Sequence, residues 1–66
     1  MRVYINGEQR VVEAVATVAD LVAALGLETR KVAVEQNLEI VPRSLHGATP
    51  VHDGDRFEIV TFIGGG

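Results

Sequence analysis

One apolar helical stripe, set between two pairs of β-rich runs, decides most of what this chain can fold into. Val18, Leu21, Val22 and Leu25 fall at i, i+3, i+4 and i+7, the spacing of a single helix face. Thr17 stands where an N-cap is needed and Asp20 follows three residues on. Gly26 can take the left-handed conformation that ends a helix, with Leu27 folding back as its hydrophobic contact. A helix of about eight residues does not persist alone in water. The stripe must be laid across a sheet, and eleven valines and four isoleucines supply the strands.

The first pair is a hairpin. Val3 and Ile5 alternate with Arg2 and Tyr4, Asn6-Gly7 supplies the positive-φ residues of a tight turn, and Gln9 to Val12 resumes a β-rich run. After the helix, Val32 to Gln36 forms a third strand, Asn37 a turn, and Leu38 to Val41 a short fourth strand that Pro42 ends or confines to an edge. Arg43 to Pro50 reads as irregular, Asp53-Gly54-Asp55 as a turn, and Arg56 to Ile63 as the longest strand pattern. The order ββαββ, with one crossover helix and one stripe to bury, predicts an α+β fold: a mixed sheet of four to five strands wrapped around one main helix. This is the β-grasp, ubiquitin-like arrangement, with the first and last strands as central parallel neighbours. Residues 1–63 form the domain and 64–66 a flexible C-terminal glycine tail.

Composition limits what such a domain can do. A chain of 66 residues buries only about 60% of its unfolded surface, which predicts a single domain without a deep substrate cleft. No cysteine is present to add a disulfide or a zinc–thiolate site. The net charge is −3, and five arginines and one lysine are scattered without a cluster, so nucleic acid is not an expected partner. No apolar run approaches membrane length and the N-terminus turns polar after five residues, which predicts a cytoplasmic protein with no membrane partner.

Catalytic constellations are missing. His46 and His52 lie in the polar irregular region near Asp53 and Asp55 and read as solvated loop residues with nothing to converge on. Asp53-Gly54-Asp55 lacks the ligand pattern of a calcium loop, no glycine-rich loop precedes a helix, and Ser44 has no adjacent base. No metal or bound cofactor is expected.

What remains is Gly64-Gly65-Gly66, which the last strand pattern reaches with no polar spacer. Three extended residues span about 10 Å, enough to thread a narrow channel, and glycine carries no side chain to clash there. A carboxylate on Gly66, ordinarily ionised above about pH 3.5, can attack the α-phosphate of ATP to give an acyl-adenylate. That activated carbonyl can then pass to a sulfur nucleophile or to a lysine amine.

The segments Val3-Tyr4-Ile5-Asn6-Gly7, Val34-Glu35-Gln36-Asn37, Ile40-Val41-Pro42-Arg43 and Asp53-Gly54-Asp55-Arg56-Phe57-Glu58-Ile59-Val60, with the closing glycines, resemble the small β-grasp sulfur carriers, most closely those of thiamine biosynthesis. Leu45-His46 stand where some members carry a tryptophan. The resemblance implies that Gly66 is adenylated by an E1-like adenylyltransferase using ATP and becomes a thiocarboxylate, with Gly65 completing a diglycine motif and Gly64 added before it. Sulfur would come from a donor such as a cysteine desulfurase persulfide and pass to thiazole synthase. Such a chain is a protein co-substrate and not an enzyme. Alternatives are the small subunit of molybdopterin synthase, whose members tend to be longer and to carry prolines before the glycines, and a ubiquitin-like modifier or binding module.

Strand alternation adds a docking expectation. If Phe57 and Ile59 face the helix, then Glu58, Val60 and Phe62 face outward with Tyr4, and the apolar members of that set form a partner-binding surface beside Gly64 and Gly65.

Overall fold

The computed structural model describes residues 1–62. Five strands and one helix follow one another as β1 (Arg2–Ile5), β2 (Glu8–Val11), α1 (Val18–Ala24), β3 (Val32–Gln36), β4 (Glu39–Val41) and β5 (Arg56–Thr61). The sheet order is β2-β1-β5-β3-β4. β1 and β5 are parallel, with Tyr4 opposite Arg56 and Ile5 opposite Phe57, and the other pairings are antiparallel. The central parallel pair and the mixed sheet expected from the element order are both present.

Alternation along the strands sorts side chains to two faces. Val3, Ile5, Val32, Val34, Val41, Phe57 and Ile59 turn to one face and meet Val18, Leu21 and Val22 of α1, all buried. Leu25 and Leu27 are half-buried at the rim of that core. The helix thus covers one face and leaves the other open.

Local chemistry fixes the helix ends. Thr17 and Asp20 form a reciprocal capping box, and Asp20 also accepts from the Ala16 amide at 2.9 Å. These backbone donors hold the Asp20 carboxyl below its ordinary value. At the other end the Leu27 amide donates to Val22 O and the Gly26 amide to Ala23 O, with Gly26 at φ +76°, the Schellman arrangement. The helix closes one residue before Leu25, which becomes its C-cap.

Two expectations need correction. His46 is not solvated: it is 1% exposed. Residues 43–45 form a 3-10 turn that tucks the ring under the sheet end, with Nε2 at 3.1 Å from Val41 O. The His46 carbonyl in turn accepts from the Ala19 amide, so this loop is part of the helix's N-terminal support. Nδ1 is buried without a partner among the described residues. His52 is exposed, as expected. The second correction concerns the fourth strand, which begins at Glu39 because Asn37 and Leu38 both adopt positive φ and form the turn themselves.

Candidate functional site

β5 is the element that carries the chain toward Gly64-Gly65-Gly66, and it is held along both sides. Five registered pairs with β3, from Val32–Thr61 to Gln36–Phe57, bind one side. On the other, β1 ends after Ile5, and the Asn6 side chain takes over the ladder. Its Nδ2 donates to Ile59 O at 3.0 Å and its Oδ1 accepts from the Ile59 amide at 2.8 Å. A side-chain amide thus pairs like one more peptide of a neighbouring strand. Asn6 reaches this position because it sits at φ +51°, a conformation asparagine tolerates better than most residues. The last described tether is the Phe62 amide, which donates to Lys31 O at 2.9 Å.

A second turn asparagine fastens the start of the strand. The Asn37 amide donates to Arg56 O at 2.7 Å, and its Oδ1 accepts from the Arg56 amide. Its Nδ2 donates to Asp55 Oδ1, while Asp55 Oδ2 accepts from Gln36 Nε2 and the His52 amide. Burial by itself would raise the Asp55 pKa. The donors on Asn37, the His52 backbone and Gln36, with the nearby His52 ring, outweigh it and hold the carboxyl below its ordinary value.

The open face shows where the expected docking residues stand. Val60 and Phe62 are exposed at 59% and 52%. Phe62 lies past the end of β5 and lines a groove with Gly26, Leu27, Glu28 and Lys31. Tyr4 is half-buried on the same sheet face as Val60, but it pairs with Arg56, whose guanidinium carbon lies 4.2 Å from the ring centroid. Six strand residues, about 20 Å, separate that end of β5 from Phe62. The structure therefore spreads Tyr4, Val60 and Phe62 along the strand. Gly64, Gly65 and Gly66 lie outside the described residues.

Other exposed residues on this face were not singled out from the sequence. Leu38 and Ile40 are 90% and 76% exposed, and Ile40 stands opposite Glu35, which stands opposite Glu58. The signal was available in part: once β3, β4 and β5 are in register, Ile40, Glu35 and Glu58 must share a face with Val60. Among the described residues no three His, Asp or Glu side chains are grouped to hold a metal ion, and no helix is long and apolar enough to cross a membrane.

Comparison with known proteins places this geometry. The chain is 42% identical over 50 residues to the sulfur carrier protein ThiS of Bacillus subtilis, covering 76% of each. It is 56% identical over 66 residues to a thiazole synthase of Paramagnetospirillum magneticum, and spans about one-fifth of the length of that protein, 20%. The crystal structure of thiamine biosynthesis protein ThiS from Geobacter metallireducens superposes with a TM-score of 0.82 at 36% identity, all of both chains being covered. The ThiS family model matches residues 3–66, from the first strand through the terminal glycines, and by that extent and this shared β-grasp fold the chain belongs to the ThiS family.

Proposed function

We propose that this chain is a sulfur carrier of thiamine biosynthesis, a cytoplasmic protein co-substrate whose reactive group is the carboxylate of Gly66. The observation that supports it most is the family match running through Gly64-Gly65-Gly66, the part of the sequence expected to carry the chemistry.

In this reading the Gly66 carboxylate attacks the α-phosphate of ATP on an E1-like adenylyltransferase. Pyrophosphate leaves and an acyl-adenylate forms. The terminal sulfur of a desulfurase persulfide attacks the carbonyl carbon and expels AMP. A second thiol then cleaves the sulfur–sulfur bond, leaving a thiocarboxylate on Gly66 and a disulfide on the donor side. No cofactor stays on the carrier. Gly64 and Gly65 thread the partner's channel, while Val60 and Phe62 dock beside it and Tyr4 extends the contact along β5. The next acceptor is thiazole synthase. Proteins of that name from P. magneticum and Magnetococcus marinus contain stretches 56% and 42% identical to this chain, which supports a pairing of the two activities.

Intact mass of the protein isolated from thiamine-starved host cells tests the reading. The expected species ends at Gly66 and is heavier by the exchange of one oxygen for sulfur. A protein that stays wholly in the carboxylate form, with the pathway demonstrably active, overturns it.

A further inference from the structure

Two features of the open face disfavour the isolated monomer. Glu35 and Glu58 stand directly opposite each other on β3 and β5, where like charges repel. Among the described residues the ion pairs engage Glu8, Glu28 and Asp55, and none reaches Glu35 or Glu58. Arg56 shares the strand and face of Glu58, yet its guanidinium stacks on Tyr4. The second feature is Leu38, held at φ +71° in a region where glycine sits without strain. Its side chain is almost wholly in solvent, so no packing within the chain offsets that backbone. Both features border one groove of about 350 Å³, whose lining includes Tyr4, Glu35, Leu38, Arg56 and Glu58.

We propose that this groove receives an arginine or lysine of the adenylating partner, its cation held between Glu35 and Glu58 while neighbouring apolar side chains cover Leu38 and Ile40. Two opposed carboxylates repel anionic headgroups and phosphates, and two alone make a poor metal site. A guanidinium satisfies both through paired hydrogen bonds, and the apolar stem of either cation packs along Leu38. A strained and exposed leucine beside that charge site is a suitable buried anchor in a complex. The inference rests on the reading of this chain as an adenylation substrate, and it adds a charged contact at Glu58, four strand residues or about 13 Å from Phe62.

Calorimetric titration of the purified adenylyltransferase with the full chain, at two salt concentrations, tests it. Removing both charges in Glu35→Gln/Glu58→Gln should weaken binding roughly tenfold and flatten its salt dependence. The melting temperature should stay level or rise, because a repulsion is lost. Leu38→Gly should likewise weaken binding several-fold without lowering the melting temperature. Unchanged affinity and salt dependence in the double variant overturn the cation site. If Phe62→Glu still abolishes binding in that case, the docking reading survives without it. A wild-type chain that does not bind the enzyme removes both.

Discussion

Substituting Asn6 tests whether a side chain really replaces backbone in the sheet. The Asn6 carboxamide makes two hydrogen bonds to the backbone of Ile59, at 2.8 and 3.0 Å and half-buried, where β1 has already turned away. Asn6→Gly removes both bonds and keeps the positive φ unstrained. At about 1 kcal/mol per bond, with some added cost for Ile59 groups left unpaired, the loss is about 1.5–3 kcal/mol. Asn6→Ala adds the left-handed penalty of a Cβ, about 1 kcal/mol more. Asn6→Asp keeps the acceptor for the Ile59 amide but points a second oxygen at the Ile59 carbonyl, so it should cost at least as much as glycine. In a domain this small about 2 kcal/mol lowers the melting temperature by roughly 10 °C. Urea unfolding followed by far-UV circular dichroism suits a chain without tryptophan, and amide exchange at Ile59 reports the clamp directly. An Asn6→Gly protein within 0.5 kcal/mol of wild type, with Ile59 exchange unchanged, would refute the clamp.

The remaining predictions use the same two readouts, stability and transfer. Asp55 is held below its ordinary carboxyl value, so its contribution is present above about pH 4 and is lost as the pH falls through the lower, folded value. Asp55→Asn should be less stable at neutral pH, and its disadvantage should shrink in acid; a constant gap would count against the network. His46→Ala should cost about 2–4 kcal/mol, from a lost core side chain and its bond to Val41, whereas His52→Ala should stay within about 0.5 kcal/mol. Equal effects at the two positions would show that the loop does not seal the helix end. Phe62→Glu should abolish adenylyltransferase binding with unfolding unaltered, and undiminished binding would remove that docking residue. Deleting Gly66 should end sulfur transfer without moving the unfolding curve, and surviving transfer would make the terminal glycine irrelevant.

The sequence already contained the architecture because its two periodicities are unmixed. Val18, Leu21, Val22 and Leu25 repeat as a helix face, while Phe57 and Ile59 alternate as a strand, and a single stripe permits a single covered face. His46 was not legible, since nothing local distinguishes a loop histidine in water from one drawn under a sheet; its burial depends on where residues 43–50 cross the helix end. Asn37 shows the same limit from the other side. A turn could be read there, but its grip on Asp55 and Arg56 joins positions 18 and 19 residues apart. The candidate docking residues were readable as a face and not as a place, because register puts Tyr4 opposite Arg56, at the far end of β5 from Phe62.

The parallel pairing of β1 and β5 also fixes how the domain responds to force. Tension between the N-terminus and the chain beyond Phe62 draws the two central strands past each other along their length. The hydrogen bonds of Tyr4 to Asp55 and of Asn6 to Phe57 and Ile59 then share the load in shear, and none can open alone as it would if an edge hairpin were peeled. Such a pull therefore loads both central strands at once, and the sheet keeps its order until several of these bonds break together.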